Sequence, residues 1–379
     1  MAPDSDRVRF ARNPFRQAAV PAALVPPPAE DVRELHRSLP GYAPTPLLAL
    51  PELAAELGLG EVWVKDESKR FGLGAFKALG AAYAIHRFLR ERTTPVTFTT
   101  ATAGNHGRGV AWTARRLGRR AVIFVPGHTV PARLASLRAE GADVVVVDGS
   151  YDETVRQAAS ESAKHGWQVI CDTAYPGYTE IPGWIMLGYT TLFAEASEQL
   201  AAEGRPDPDA VFLQAGVGGL VWAGAWSYVR RSGPRRPRLV AVEPIEADCL
   251  LESIRSPNGE IRETRGRLAT IMAGLNAGTP SLLAWPLIRA AVDAFLAVDD
   301  AFAEDAMRRF HAGTRGDPRI VAGESGAAGL AGLLALCREP TLAAAREALR
   351  LGPEARVLLV NTEGATDPDS YRKIVGAEP

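Results

Sequence analysis

The sequence predicts an α/β protein built on parallel sheets, and three observations carry that expectation. Short apolar and β-branched runs alternate with helix-like stretches of about ten residues, the pattern that places helices on the faces of a parallel sheet. Several of these runs end in glycine-rich or polar turns leading straight into a helix, where α/β proteins bind ligands. The length, 379 residues, exceeds one ordinary hydrophobic core and predicts two domains sharing a cleft.

Taken in order, residues 1–45 mix charge with Pro26-Pro27-Pro28 and are expected to wrap the surface as an irregular arm. Residues 61–65 read as a strand. Residues 76–92 read as a helix, with Ala78, Ala82, Ile85 and Leu89 on one face and His86, Arg87 and Arg90 on the other. Strands are then expected at 96–99, 121–126, 144–147 and 168–171, alternating with helices at 110–117, 132–140 and 153–164. A long helix follows at 181–203. The second series comprises a strand at 210–213, a helix at 220–229, a strand at 239–243 and a helix-poor stretch to Pro280. Helices near 281–293, 300–311, 325–336 and 340–350 and a last strand at 356–360 complete it. The natural parse is a larger, discontinuous domain of residues 1–82 and 190–379 with a smaller one, 83–189, inserted. No internal repeat or low-complexity tract interrupts it.

Composition narrows the function. Apolar residues make up 46% and charged residues 23%, ordinary for a soluble globular chain, and the formal charge of −1 gives no reason to expect nucleic acid or an anionic membrane as partner. No run approaches the length of a membrane span. Cys171, Cys249 and Cys337 have no paired spacing, which fits a reducing cytoplasm and offers neither a zinc site nor a disulfide framework. His128, His165 and His311 show no metal-ligand spacing and read as surface residues.

Four motifs carry chemistry. Lys77 follows a glycine-rich turn and opens a helix made of small, apolar residues. Burial and the positive helix end both favour the neutral amine that condenses with an aldehyde. The turn Thr100 to Gly109 presents Asn105 and His106 between Gly104 and Gly107, either to a ligand or simply as a turn closure. The run Ala210 to Leu213 leads into Gly216, Val217, Gly218, Gly219 and Leu220. That is a strand-to-helix glycine turn whose backbone N–H groups suit a phosphate monoester, although it matches neither a Walker sequence nor the dinucleotide fingerprint. The run from Val357 to Val360 places Thr362 at a strand end, to meet a pyridine nitrogen or to cap a turn. Together these parts describe pyridoxal 5′-phosphate held by a lysine imine, a glycine cup, an asparagine beside the ring hydroxyl and a threonine at the ring nitrogen.

The order of lysine, Gly-Asn-His-Gly and Gly-x-Gly-Gly-Leu resembles the tryptophan-synthase-β-like enzymes of fold type II, which include serine and threonine dehydratases. The longer runs Arg70 to Gly80, Gly104 to Trp112, Asp172 to Tyr189, Thr270 to Leu275 and Gly323 to Gly326 resemble the diaminopropionate ammonia-lyase family, and the likeness extends from about Asn13 to Val375. It implies two three-layer α/β/α domains with the cofactor in their cleft, a homodimer, and β-elimination from 2,3-diaminopropionate to give pyruvate and ammonia. Lys77 would hold the cofactor and then take the α-proton. Phe76, Asn105, the Gly216–Leu220 turn and Thr362 would bind the cofactor. Asp172 would position or protonate the leaving amine. Ala103, Gly104, His106, Tyr178 and Ser325 would line the substrate pocket, Ser325 also capping the following helix.

Two departures stand out. The family usually carries an aspartate just before Gly-Asn-His-Gly, held to handle the proton on one face of Cα; here it is Ala103, which implies loss of action on the D-enantiomer or a changed substrate. Ala277 replaces a common cysteine, which excludes a redox-linked bridge at that place. Elimination or β-replacement on serine, threonine or an activated serine, and a catalytically silent ligand-binding paralogue, are the alternative expectations. Lys65, Asp66 and Glu67 are expected to form a solvated or domain-edge charge cluster, and Arg108 to pair with a carboxylate near the cofactor or lie on a helix surface.

Overall fold

The computed structural model describes residues 5, 7–28, 31–90, 92, 94–102, 104–313 and 315–379, with the side chains of residues 151 and 152 left aside; Ala103 lies outside the described residues. In chain order the elements are β1 (Val8–Arg12), α1 (Asp31–Ser38), β2 (Leu47–Ala49), α2 (Pro51–Leu57), β3 (Glu61–Asp66), α3 (Lys77–Leu89), β4 (Phe98–Ala101) and α4 (Asn105–Arg116). They continue with β5 (Ala121–Pro126), α5 (Pro131–Ala139), β6 (Asp143–Val147), α6 (Tyr151–His165), β7 (Gln168–Val169), α7 (Glu180–Ala202), β8 (Ala210–Gln214), α8 (Gly219–Ser232) and β9 (Arg238–Pro244). The last are α9 (Cys249–Arg255), α10 (Trp285–Ala291), β10 (Ala294–Val298), α11 (Asp300–Ala312), α12 (Ala328–Arg338), α13 (Ala343–Ala348), β11 (Arg356–Asn361) and α14 (Pro368–Val375). No helix among the described residues is long and apolar enough to cross a membrane.

The chain divides into two compact units, residues 1–28, 44–69 and 192–379 in the larger and 29–43 and 70–191 in the smaller. The larger holds a seven-stranded sheet in the order β1-β10-β9-β8-β11-β3-β2. Its inner pairings are parallel, whereas β1 and β2 are antiparallel edges. Val211, Phe212, Leu358 and Leu359 are wholly buried, as strands covered on both faces must be. The inner helix α12 approaches closely because it is made of small residues: a Cβ on Gly332 would meet Val242 Cγ2 at 2.6 Å. The smaller unit holds a four-stranded, all-parallel sheet in the order β6-β5-β4-β7, as the alternation of strands and helices predicts.

Two expectations are corrected, and one strand that the sequence reading does not contain is added. The N-terminal residues are not an irregular arm throughout: β1 pairs Val8 with Val298 and Arg12 with Ala294, and residues 31–38 form α1. Val8 and Phe10 are buried, but the arginines between and around them hide the alternation, as edge strands commonly do. Residues 294–298, just beyond the expected helix at 281–293, form β10; the apolar run Ala294–Val298 is a wholly buried strand that periodicity alone cannot tell from a helix. Lys65, Asp66 and Glu67 are not solvated. β3 lies between β11 and β2, so its C-terminal end is interior, and all three side chains are buried. The Lys65 ammonium meets Glu195 Oε2 at 2.8 Å, the Thr45 carbonyl at 2.7 Å and Gln199 Oε1 at 2.8 Å, the set of acceptors a buried ammonium requires. Glu67 in turn accepts from the Thr45 hydroxyl at 2.6 Å.

Candidate active site

In the smaller unit, a turn with three left-handed residues, Phe71, Gly72 and Gly74, delivers the chain into α3, so Lys77 is its first residue. Three glycines then let helices pack at backbone distance. A Cβ on Gly109 would meet the Ala78 Cα at 3.1 Å, and one on Gly188 would meet the Leu79 carbonyl at 2.6 Å. A Cβ on Gly80 would collide with the Tyr189 ring. This packing gathers Lys77, His106 from the first turn of α4 and Tyr189 from α7.

The Lys77 ammonium donates to Asp172 Oδ2 at 2.7 Å, with both side chains only about a fifth exposed, 22% and 23%. The sequence leads one to expect a neutral amine here, and the structure corrects that. Burial does pull the amine's pKa down, but the Asp172 carboxylate, followed by Tyr189, outweighs it and holds Lys77 well above the ordinary lysine value. For Asp172 the balance runs the other way: burial raises its carboxyl, while Lys77 and then His106 pull it well below the usual carboxylate range. Phe76 and Tyr189 flank the ammonium, their ring centroids 5.4 and 5.5 Å from Nζ.

His106 is buried, and burial lowers its pKa despite the nearby Asp172, so the ring is neutral near pH 7. Its Nε2 meets the Ile170 carbonyl at 2.8 Å. A carbonyl can only accept, so Nε2 carries the hydrogen, leaving Nδ1 as a buried acceptor without a partner among the described residues. Tyr189 offers the complement, a buried hydroxyl that faces the Lys77 ammonium without a well-formed hydrogen bond among the described residues, its pKa driven up by burial. Tyr189 is the residue that sequence reasoning misses, although Gly80, which makes room for its ring, is a readable signal.

The other expected residues fall as follows. Asn105 is the first residue of α4 rather than part of a preceding turn, and Gly104 is the N-cap, its N–H donating to Thr102 Oγ1 at 3.2 Å. The Tyr178 hydroxyl is spent on backbone, accepting from the Cys171 N–H at 2.9 Å and donating to the Val169 carbonyl at 3.0 Å. Arg108 pairs with Glu140, the C-cap residue of α5, at 3.5 Å and donates to the Leu73 carbonyl at 2.8 Å.

In the larger unit the β8–α8 turn fits a phosphate group. Gly218 is left-handed (φ 99°) and stands at the N-cap with no side chain capping the helix. A Cβ there would lie 2.6 Å from Ile288 Cδ1, so only glycine serves. The N–H groups of Gly216, Val217, Gly218, Gly219 and Leu220 find no acceptor among the described residues, a run of open donors at a helix N-terminus. Thr362, buried after β11, has its hydroxyl 3.4 Å from the Ser325 carbonyl. Ser325 is not a helix cap, for α12 begins at Ala328 with Ala327 as N-cap; its Oγ instead accepts from the Gly274 N–H at 3.0 Å. Serine's side chain is drawn to the loop that passes it before it can reach α12.

Comparison with known proteins identifies the family, the fold and the cofactor. The family described as pyridoxal-phosphate dependent enzyme matches residues 38–363. The chain is 41% identical over 386 residues to diaminopropionate ammonia-lyase of Escherichia coli (strain K12), covering 97% of this chain and 96% of that one. It is similar to the crystal structure of the Escherichia coli enzyme in complex with an aminoacrylate-PLP azomethine reaction intermediate, at a TM-score of 0.91 and 41% identity over 98% of this chain and 97% of that one. The same enzyme in complex with D-serine gives a TM-score of 0.91 at 40% identity, with 97% of each chain covered. The fold is type II and the cofactor is pyridoxal 5′-phosphate. The chain belongs to the pyridoxal-phosphate dependent enzymes and, within them, to the diaminopropionate ammonia-lyase family of carbon–nitrogen lyases.

Proposed function

We propose that this protein eliminates ammonia from 2,3-diaminopropionate, acting on the L form and yielding pyruvate and ammonia. The observation that carries the reading is the grouping around Lys77 of Asp172, as a carboxylate, and His106 Nδ1, as a neutral acceptor without a donor. A substrate with two amino groups brings the donors such a site lacks, whereas a hydroxyl side chain brings fewer. Bound pyridoxal phosphate supplies the electron sink that makes the Cα–H bond acidic.

The chain's own residues do the rest. Lys77 holds the cofactor, and its amine, freed when substrate binds, takes the α-proton. Asp172 keeps a positive charge on the group leaving Cβ, since ammonia departs far more readily from an ammonium than from an amine. The N–H groups from Gly216 to Leu220 take the phosphate, Phe76 and Asn105 contact the ring, and Thr362 meets the ring nitrogen. Gly104, His106, Tyr178 and Ser325 border the substrate. The same reading makes the enzyme a cytoplasmic homodimer, in keeping with its free cysteines.

The test is an assay of 2-oxo acid and ammonia from L- and D-diaminopropionate, L-serine and L-threonine, with a Lys77→Ala control. Turnover of L-diaminopropionate above the rest is expected, as is loss of the visible cofactor band in the control. Ala103 favours one second reading, elimination or β-replacement on another 3-substituted alanine. Turnover of L-serine or L-threonine with none of diaminopropionate would install it in place of the first.

A further inference from the structure

Four arginines and one aspartate line a cavity of about 630 Å³ in the larger unit, a size within the range of small-molecule sites. Arg238 opens β9, Asp293 immediately precedes β10, Arg12 ends β1, and Arg350 lies just beyond α13; Arg16 completes the set. The aspartate is already engaged at both oxygens. Its Oδ1 accepts from Arg16 Nε at 2.8 Å and its Oδ2 from the Leu239 N–H at 3.0 Å. Arg12, Arg238 and Arg350 make no ion pair or side-chain hydrogen bond with any described residue, so three guanidinium groups of the cavity have no carboxylate in direct contact among the described residues.

The walls are fixed in place. Asn13 is buried and ties the loop that carries Arg16, donating to the carbonyls of Arg289 and Val292 at 2.8 and 2.6 Å and accepting from the Phe15 N–H at 2.8 Å. Arg350 has a left-handed backbone (φ 52°) just after a helix end, where glycine is the usual residue. Its N–H donates to the Glu347 carbonyl at 2.8 Å and that of Leu351 to the Arg346 carbonyl at 3.1 Å, holding the reversal. An arginine that accepts a conformation suited to glycine presents its side chain at a backbone cost. Burial and the facing Arg350 also hold Arg238 below its ordinary pKa, as crowded like charges do.

We propose that this cavity is a second ligand site, for a small anion bearing two or more linked phosphate groups. Guanidinium forks match phosphate oxygens two at a time, and a single anionic oxygen could not serve three of them. The site lies at the N-terminal ends of β9 and β10, whereas the glycine turn and Thr362 follow the C-terminal ends of β8 and β11 in the same parallel sheet. Strands of this length separate the two ends by about 20 Å, so the anion does not compete for the cofactor's phosphate turn.

Isothermal titration calorimetry of the holoenzyme at constant ionic strength tests it, with sodium tripolyphosphate, pyrophosphate, ATP and sulfate as titrants. One-to-one binding of tripolyphosphate is expected, weakened about tenfold or more by Arg238→Gln or Arg350→Gln and unchanged by Arg265→Gln, whose side chain is 84% exposed outside the cavity. Arg12→Gln, at an exposed strand end, serves if either of the first two fails to fold. ATP binding tighter than tripolyphosphate would identify a nucleotide, and equal affinity would identify the phosphate chain alone. Absence of heat with all phosphates, sulfate binding as tightly as tripolyphosphate, or equal weakening by Arg265→Gln would overturn the proposal.

Discussion

A methyl group on Gly80 would stand 2.5 Å from Cε1 of Tyr189 and 2.8 Å from the Ile185 carbonyl. Tyr189 therefore holds its place near Lys77 because α3 carries no side chain opposite it. Gly80→Ala should destabilise the fold by about 1–3 kcal/mol through overpacking and lower kcat as the ring is pushed away. Urea denaturation with parallel kinetics checks both. A variant as stable and active as wild type would show that the helices separate freely.

Tyr189→Phe separates packing from chemistry. The hydroxyl is buried and makes no well-formed hydrogen bond among the described residues, so its removal should leave stability unchanged or raise it by up to about 1 kcal/mol. If the hydroxyl meets the substrate, kcat/KM falls about tenfold or more while the melting temperature holds. Equal kcat/KM in the variant would reduce Tyr189 to packing alone.

The Lys77–Asp172 pair fixes a pH dependence in cofactor-free protein. The Asp172 carboxyl is depressed, so its contribution is present above the ordinary carboxylate pKa of about 4 and is lost as pH falls through its lowered value. Lys77 is raised, so its contribution is complete below about 10.4 and disappears only as pH climbs through its elevated value. The pair is thus intact across the neutral range. Asp172→Asn should flatten the acid limb of the stability profile and let burial lower the Lys77 pKa, read from the pH dependence of amine labelling. An unshifted labelling midpoint contradicts the pairing.

Lys65→Met should cost about 3–5 kcal/mol, because the wholly buried Lys65–Glu195 pair loses one of its partners. Lys65→Met with Glu195→Leu removes both charges and should recover most of that loss in thermal unfolding. If the double variant is no better than the single one, the pair is not what the substitution disturbs.

Ala103→Asp restores the carboxylate that the family usually carries and should bring measurable turnover of D-diaminopropionate with little change for the L form. Separate assays of the two enantiomers decide it. Strong D activity in the unaltered protein would remove the proposed preference.

Much of this was legible in the sequence because it was local. Strand–turn–helix junctions at Gly216 to Leu220 and the alternation through the smaller unit depend on neighbours a few residues away. Lys77 and Asp172 stand out in the sequence for the same reason, and the structure pairs them. What was hidden depended on distant partners. The burial of Lys65 follows from β3 lying between β11 and β2, and the charge state of Lys77 follows from a carboxylate far along the chain. Composition cannot reveal that Tyr178 spends its hydroxyl on backbone while Tyr189 does not.

The pairing of Val8 with Val298 has a consequence for how the protein is made. This edge strand of the larger sheet is synthesised 290 residues ahead of its mate, Val8 before Val298. At about 5–20 residues per second β1 must wait for tens of seconds, unpaired and in water. Arg7, Arg9 and Arg12 keep that waiting segment charged, so it stays dispersed on the ribosome until β10 arrives to receive it.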